Sequence, residues 1–171
     1  MTEERLWQDD VYAALKAAGV AILSYVPDAG HSRTIRRALE DPDMESIVLT
    51  TEEEGVALTY GAWLGGKRSV LLMQSSGVGN CINMLGMVQS CAFPFLTLVT
   101  MRGEWEEFNP WQVPMSQATQ PTLEAMAIEV RRAEDPATVG DMVRQAADDA
   151  FEGERGVALL FGQKMIGKKV W

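Results

Sequence analysis

Residues 50–80, TTEEEGVALTYGAWLGGKRSVLLMQSSGVGN, predict a helix, a buried strand and a second helix in direct succession. Thr51 and Glu54 have the spacing of a capping box, so we expect a helix over Glu52–Leu64 that ends before two glycines. The apolar run that follows lacks polar alternation, which is typical of a strand covered on both faces. Two polar strand-to-helix junctions should therefore lie at one edge of a parallel sheet, where ligands of open α/β folds bind.

Outward from this stretch, apolar runs of strand length alternate with helical patterns along the chain. Strands are expected at residues 20–26, 46–50, 69–74, 95–101, 128–132 and 156–161, and helices at residues 3–18, 32–41, 52–64, 77–92, 119–127 and 135–151. Such alternation means a mostly parallel sheet with right-handed crossovers. The predicted fold class is α/β, a three-layer α/β/α arrangement of about six strands in a single domain over residues 1–171.

The composition argues against several classes of protein. With 24 acidic residues against 15 Lys and Arg, the net charge of −9 disfavours general nucleic-acid binding, which needs clustered cations. The start, MTEERLWQDD, lacks the regions of a signal peptide, and no apolar run is long enough to span a bilayer. Cys81 and Cys91 flank a methionine-rich apolar stretch, which fits packed, reduced thiols better than a disulfide. We expect a soluble, cytoplasmic protein.

Two of the predicted helices are too apolar for a free surface. Residues 56–64 and 78–93 carry apolar side chains around most of the helix circumference. A subunit interface is the favoured interpretation, and a tightly packed core is the alternative. Residues 102–118 are rich in aromatic side chains and lack a clear period, which predicts a loop that is functional or covered by a partner, and we expect a partner to cover it.

Each polar junction has a structural interpretation beside a functional one. The carboxylates of Glu52, Glu53 and Glu54 complement the dipole of the helix they begin; alternatively, one of them, Glu52 being nearest the strand end, is shielded at the cleft and holds a proton near neutral pH. Residues 75–80 form either a plain tight turn or a place where backbone amides approach a ligand. They match neither a P-loop nor a dinucleotide-binding fingerprint.

Few residues remain for other kinds of site. His31 is the only histidine and neither cysteine has metal-ligand spacing, so no metal site is expected within this chain. His31 follows the first predicted strand, and Arg102 and Glu104 follow the fourth, which places all three at the cleft edge. A solvated or locally hydrogen-bonded histidine, and a surface ion pair between Arg102 and Glu104, are the plainer interpretations.

The residues of this region, taken together, resemble a known enzyme family. The positions that carry the resemblance are residues 52–58, Gly61, Gly66, Lys67, residues 70–74, Ser76, Gly77, Gly79, Asn80, Asn83 and residues 102–104. Their combination resembles the pyrimidine-binding domain of sulfopyruvate and phosphonopyruvate decarboxylases, which are thiamine diphosphate enzymes. The similarity extends from about Val26 to the last strand, and it implies the thiamine diphosphate-binding fold of the pyrimidine-binding type.

The resemblance implies a catalytic role for Glu52. In the family, a glutamate nine residues before a helix glycine, here Glu52 before Gly61, hydrogen-bonds the pyrimidine ring and protonates its nitrogen. The ring's amino group then becomes an imine that removes the thiazolium proton, which leaves the carbanion that attacks a 2-oxo acid. The cofactor-binding residues implied by the resemblance are Glu52, Gln74, Ser75, Ser76, Gly77 and Asn80.

One motif of the family is missing from this chain. Family members bind the diphosphate through magnesium at a Gly-Asp-Gly motif followed by an asparagine, whereas Gly140-Asp141-Met142 lies inside a predicted helix. Because the two-chain sulfopyruvate decarboxylases divide the site, this chain resembles their alpha subunit. The resemblance implies a hetero-oligomer in which a beta subunit holds Mg²⁺ and the diphosphate of the shared thiamine diphosphate.

The reaction implied by the resemblance is decarboxylation of sulfopyruvate to sulfoacetaldehyde and carbon dioxide. Phosphonopyruvate decarboxylation and a related carboligase subunit are the nearer alternatives, and a non-catalytic binding or regulatory domain with the same fold is the alternative of another class. A sulfonate or phosphonate tail needs cations, and His31, Arg33 and Arg102 are the candidates in this chain. The partner is a second possible source of such cations.

Overall fold

The computed structural model describes residues 6–167. The strands are β1 (Val20–Tyr25), β2 (Glu45–Val48), β3 (Arg68–Gln74), β4 (Phe95–Thr100), β5 (Glu129–Ala133) and β6 (Gly156–Phe161). The helices are α1 (Trp7–Ala17), α2 (Ser32–Leu39), α3 (Glu52–Leu64), α4 (Ser75–Cys91), α5 (Gln112–Ala125), α6 (Val139–Phe151) and α7 (Gln163–Ile166). Over the described residues, all six strands pair in parallel in the order β2-β1-β3-β4-β6-β5.

Helices cover both faces of the sheet. α1, α2 and α6 pack on one face around fully buried side chains such as Leu15 and Phe161. α3, α4 and α5 pack on the other face around Val56 and Leu85. β4 and β6 are buried at every residue, as expected for apolar strands between two helical layers. The predicted α/β class and three-layer arrangement are confirmed.

The strand order reverses between β1 and β3, and this positions the cleft. The connection after β1 leads outward to β2, whereas the connection after β3 leads to β4 on the opposite side. In open parallel sheets, the crevice at such a reversal lies outside the carboxyl ends of the strands. The residues that follow β1 and β3 therefore line the most favourable ligand position of this fold.

Helix α4 begins earlier than the sequence predicted. It starts at Ser75, directly after β3, and Gln74 is its extended N-cap residue with φ −87° and ψ 158°. The start predicted at Gly77 is therefore wrong, and residues 75–80 form the first turns of the helix. Two glycines weaken the helical pattern of residues 75–80, because glycine has a low intrinsic helix propensity.

Helix α3 begins at Glu52 as predicted, but its predicted capping box is wrong. The Thr51 side chain does not cap the helix and instead donates its hydroxyl hydrogen to Glu53. The Glu54 carboxylate accepts a hydrogen bond from the backbone N–H of Thr50 at 2.8 Å. The first turn is thus stabilised by the same acidic residues through a different set of bonds.

Helix α5 begins at Gln112, so the predicted loop over residues 102–118 is limited to residues 102–111. Pro114 lies in the first turn, where the backbone N–H groups have no acceptor within the helix and a proline is tolerated. Among the smaller differences, α6 begins at Val139 instead of the predicted residue 135, and α7 was not predicted. Residues 3–5 of the first predicted helix lie outside the described residues.

Among residues 6–167, none of the helices has the length and apolar character required to cross a membrane.

Candidate active site

Glu52 is a buried carboxylate at the start of α3. Only 8% of its surface is exposed, and its Oε2 atom accepts a hydrogen bond of 2.7 Å from Nδ2 of Asn80. Gly77 lies against the same carboxyl group, since a Cβ atom added there would be 2.5 Å from Glu52 Cδ. The fold therefore brings together three of the residues that the sequence singled out, from two helices that begin at the same edge of the sheet.

Asp28, in the turn after β1, is a second carboxylate at this edge that is oriented by hydrogen bonds. Its Oδ2 atom accepts hydrogen bonds from the Thr100 hydroxyl at 2.7 Å and from the Gly30 backbone N–H at 3.0 Å, and its Oδ1 atom accepts one from Gln74 Nε2 at 3.0 Å. Burial by itself raises the pKa of the Asp28 carboxyl, but the His31 ring and the three hydrogen bonds outweigh it and lower the pKa. Asp28 is therefore an oriented anion at the ends of β1, β3 and β4.

Gln74, the last residue of β3, connects several of these groups. Besides donating to Asp28, it accepts hydrogen bonds through Oε1 from Ser76 Oγ at 3.0 Å and from Gln112 Nε2 at 3.1 Å. The edge of the sheet thus carries a continuous polar chain from Thr100 through Asp28 and Gln74 to Gln112.

Ser75 and Ser76 differ in their surroundings. Ser75 is fully buried, and its hydroxyl oxygen accepts a hydrogen bond from the backbone N–H of Arg102 at 3.1 Å. Ser76 is exposed. Ser75 therefore joins β3 to the segment after β4, whereas Ser76 is the serine that faces outward at the edge.

His31 is fully buried rather than exposed in a turn. A ring nitrogen, Nε2, lies 3.1 Å from the carbonyl oxygen of Leu98, and its ring packs edge-on to Phe161 with centroids 5.7 Å apart. Burial lowers the pKa of His31, while the Asp28 carboxylate and the Leu98 carbonyl group oppose this shift. Its interpretation as a solvated turn residue is wrong, because α2 begins directly after it and draws the ring into the core.

Arg33 and Arg102 are both engaged by carboxylates of this chain. Arg33 Nη2 lies 2.7 Å from Oδ2 of Asp9, and the arginine side chain is 9% exposed. Arg102 forms a two-pronged ion pair with Glu107, at 2.7 Å from Nε and 2.6 Å from Nη2. The fold does not bring the three predicted substrate cations together as an open patch. Their role in binding substrate stays a prediction.

Glu104 and Arg102 do not form the surface ion pair that the sequence suggested. Glu104 pairs with Arg132 at 2.8 Å, and Arg102 pairs with Glu107. Sequence proximity was misleading here, because the Glu107 side chain is buried and its carboxylate also accepts hydrogen bonds from the backbone N–H groups of Gly103 and Asn109. Hydrogen bonding from Arg102 lowers the pKa of Glu107 to about 2.

Sequence reasoning missed Asp28 and Gln112. Asp28 lies at the same strand-to-helix edge as the predicted residues, so the edge rule could have identified it, but an aspartate between Pro27 and Gly30 is equally typical of a plain turn. Gln112 gave no signal, because it lay in a segment predicted as loop. Gly140 and Asp141 lie within α6, as predicted.

No cluster of three or more His, Cys, Asp or Glu residues within residues 6–167 is arranged to hold a metal ion.

No protein-family model matches the chain. Over 151 residues, the chain is 34% identical to sulfopyruvate decarboxylase subunit alpha of Methanococcus maripaludis, with 88% of this chain and 90% of that protein covered. The chain belongs to the sulfopyruvate decarboxylase alpha-subunit family. The subunit alpha of Methanothermobacter thermautotrophicus is 33% identical over 88% of this chain and 92% of that protein.

This sulfopyruvate decarboxylase alpha-subunit family member is also similar to longer proteins. It is 31% identical to phosphonopyruvate decarboxylase of Streptomyces viridochromogenes over 70% of this chain, which covers 31% of that protein. The family resemblance inferred from the sequence is thereby confirmed.

A solved structure shares the fold of this alpha-subunit family member. The 2-oxoglutarate:ferredoxin oxidoreductase from Magnetococcus marinus superposes with a TM-score of 0.74 at 18% identity, over 95% of this chain and 29% of that chain. The match supports the strand order and layers described above.

The site of this alpha-subunit family member combines two oriented carboxylates with neutral hydrogen-bonding groups. Glu52 is held by an amide, and Asp28 is held by an amide, a hydroxyl and a backbone N–H. Groups oriented in this way before a ligand binds lose little conformational freedom on binding it. The arrangement suits proton exchange and the positioning of a polar ligand at the sheet edge.

Proposed function

We propose that this chain is the alpha subunit of a two-chain thiamine diphosphate-dependent decarboxylase that converts sulfopyruvate to sulfoacetaldehyde and carbon dioxide. The relatives at 34% and 33% identity support the reaction, because both are named as subunit alpha of sulfopyruvate decarboxylase. The observation that carries the proposal is the buried carboxylate of Glu52, held by Asn80 where α3 and α4 begin.

The surroundings of Glu52 fit the pyrimidine end of thiamine diphosphate. One carboxylate oxygen is held by Asn80, which orients the group and leaves the second oxygen suited to bond a ring nitrogen. Gly77 provides the space in which the carboxyl group sits. When bound, thiamine diphosphate supplies the nucleophilic carbon and the electron sink for decarboxylation.

The protein groups would orient the ligands and exchange a proton. Glu52 would exchange a proton with the ring nitrogen, and its burial keeps water away from that transfer. Ser75, Gly77 and Asn80 belong to the same helix start, and we assign them, with Gln74 and Ser76, to the pyrimidine and substrate side of the cleft.

We assign the diphosphate and its Mg²⁺ to a beta subunit in a hetero-oligomer. The relatives' names as subunits support a second chain. Sulfopyruvate decarboxylase of Methanosarcina acetivorans is 27% identical over 96% of this chain, which covers 41% of that protein. More than half of that protein therefore lies outside the matched part, which leaves room for the remaining cofactor ligands.

The surface of α3 and α4 suits contact with that subunit. Ile82 on α4 is 43% exposed, and Trp63 and Leu64 at the end of α3 are 36% and 66% exposed. Large apolar side chains exposed on neighbouring helices are typical of a buried subunit contact. We propose that the beta subunit covers this surface.

The anionic tail of the substrate needs cations from more than one source. His31, Arg33 and Arg102 remain the candidates in this chain, but both arginines already neutralise a carboxylate. We therefore propose that the beta subunit supplies part of the cationic site. A kcat/KM value that falls in Arg33→Gln or Arg102→Gln with an unchanged thermal midpoint would support a direct role for that arginine.

A cytoplasmic location belongs to the same proposal. Cys81 and Cys91 are free thiols, one buried and one partly exposed. Free thiols are usual in reducing compartments.

Replacement of Glu52 in the assembled complex tests the proposal. Glu52→Gln keeps the shape and the bond to Asn80 but removes the exchangeable carboxyl proton, so carbon dioxide release from sulfopyruvate should fall at least a hundredfold. Glu54→Gln, an exposed position in the same helix turn, is the matched control and should keep near-normal turnover. Size-exclusion chromatography checks that both variants assemble; wild-type turnover by Glu52→Gln contradicts the proposal.

Phosphonopyruvate is a second candidate substrate, favoured by the 31% identity to a phosphonopyruvate decarboxylase over 70% of this chain. The two substrates differ in the charge and geometry of the tail. Values of kcat/KM measured for both with the same complex decide between them, and preference for phosphonopyruvate overturns the substrate assignment while leaving the role of Glu52 intact.

A further inference from the structure

Gln112, the first residue of α5, contacts the active-site edge from a distant part of the chain. Its Nε2 atom donates a hydrogen bond of 3.1 Å to Oε1 of Gln74, which is 38 positions earlier in the sequence. The other donor to that oxygen, the Ser76 hydroxyl, is a local neighbour in sequence. The hydrogen bond between Gln112 and Gln74 therefore depends on the tertiary fold.

Three hydrogen bonds together select one orientation of the Gln74 side-chain amide. Oε1 accepts from Ser76 and Gln112, while Nε2 donates to the Asp28 carboxylate. Turning the amide by half a rotation would place its NH₂ group against the NH₂ group of Gln112 and its oxygen against an anion, whereas the Ser76 hydroxyl can donate or accept and fits either orientation. The orientation that presents an N–H to Asp28 is thus favoured from both ends of the amide.

The backbone around Gln112 is fixed by the segment after β4. Gly103 has φ +79°, and a Cβ atom there would lie 2.6 Å from the carbonyl oxygen of Gln112. The Glu107 carboxylate accepts hydrogen bonds from Arg102 and from the backbone N–H groups of Gly103 and Asn109. The turn that delivers Gln112 to Gln74 is therefore held by its own network.

The Gln112 amide is itself oriented by this contact. Its Oε1 atom is buried and has no hydrogen-bond partner within the described residues. A buried oxygen without a donor contributes nothing to orientation and costs free energy. The donor bond to Gln74 is thus the interaction that accounts for the amide being at this position.

We propose that Gln112 is a positioning residue for the active site: it fixes the Gln74 amide so that Gln74 donates to Asp28 and orients that carboxylate at the substrate side of the cleft. The kinetic part of this inference rests on the proposed decarboxylase function. The hydrogen-bonding part concerns only this chain and can be measured without substrate or cofactor.

Two substitutions separate positioning from packing in the assembled complex. Gln112→Leu removes the donor, and kcat/KM should fall about three- to tenfold, the range of one hydrogen bond. Gln112→Glu is closer in shape but places an acceptor against Gln74 Oε1, so it should be the more damaging of the two. A packing role predicts the reverse order, and that order overturns the proposal. Gln117→Leu and Gln117→Glu, at an exposed position of α5, are the matched controls for side-chain loss and added charge.

Titration of the Asp28 carboxyl group gives the independent readout. In the full chain, followed by carboxyl-carbon NMR, Gln112→Leu should raise the pKa of Asp28 above that of the wild type and of Gln117→Leu, because the donor from Gln74 is no longer held. The His31 ring also interacts electrostatically with Asp28, so its signals are followed in the same titration. An unchanged Asp28 titration overturns the inference. A shifted titration in a complex whose wild type does not decarboxylate overturns the proposed function instead.

Discussion

Gly77 and Glu52 are in direct contact where α4 meets the start of α3. A Cβ atom at Gly77 would lie 2.5 Å from both Cδ and Oε1 of Glu52, closer than such atoms come in proteins. Gly77 does not adopt a positive φ, so glycine is needed there for space and not for backbone conformation. The position of the Glu52 carboxylate thus depends on the absence of a side chain on the neighbouring helix.

A methyl group at position 77 should disable the site while the chain still folds. Gly77→Ala forces the Glu52 carboxyl group to move, and displacement of a catalytic group by about 1 Å can cost about a hundredfold in rate. The assay is carbon dioxide release by the assembled complex. Gly86→Ala in the same helix controls for the helix-propensity effect in thermal unfolding of the isolated chain, because a Cβ atom there meets nothing within 4 Å. Normal turnover by Gly77→Ala would show that the contact is not needed.

A charge on the exposed face of α4 should prevent assembly with the proposed beta subunit. Ile82 is 43% exposed, and Ile82→Lys would place an ammonium group in the proposed apolar contact. Light scattering of the co-expressed chains should show loss of the complex. Leu39→Lys is the control, since Leu39 is 61% exposed on α2 in the opposite helical layer. Equal assembly of both variants would exclude this face of α4 from the interface.

Acid should weaken the segment after β4 through Glu107. Hydrogen bonding from Arg102 lowers the pKa of Glu107 from 4.5 to about 2. A lowered folded-state pKa means that the stabilisation is present above about pH 4.5 and is lost as the pH falls toward 2. Chemical denaturation across this interval should show a steeper loss of unfolding free energy for the wild type than for Glu107→Gln. At neutral pH the variant should be less stable by roughly 1–3 kcal/mol.

Glu124→Gln, at an exposed position of α5, is the control for the acid titration. The free energy of unfolding of this variant should change with pH as it does in the wild type. Identical pH profiles for the wild type and Glu107→Gln would mean that the ion pair does not form in solution.

The two thiols should differ sharply in reactivity. Burial raises the pKa of the Cys81 thiol to about 12, and Cys81 is fully buried, whereas Cys91 near the end of α4 is partly exposed. Because the thiolate is the reactive form, a disulfide reagent at pH 8 should modify Cys91 quickly in the native chain and Cys81 only on unfolding. Cys91→Ser should remove the fast reaction. Two fast thiols in the native chain would contradict the buried position of Cys81.

The succession of strands and longer helices along the chain, and the position of Glu52 at the start of α3, could be derived from local pattern. β6 spans Gly156–Phe161 and α3 spans Glu52–Leu64, both as predicted, because continuous apolar runs and an acidic helix start are properties of neighbouring residues. The pattern was least informative where glycine or proline weakened the helical signal, at the starts of α4 and α5. Packing there outweighs local propensity, and a single sequence does not reveal packing.

By itself, the sequence determined the α/β fold class, the sheet edge proposed for the site and the resemblance to a decarboxylase family. Only the tertiary structure decided which polar groups meet at that edge. Asp28 bonds Gln74 and Thr100, 46 and 72 positions away, and Arg102 bonds Glu107 instead of remaining available as a free cation. The physical reason is that strand pairing and helix packing bring together residues that are distant in the chain. Each polar side chain that is buried in this way needs a hydrogen-bond or ion-pair partner that offsets the free-energy cost of its desolvation.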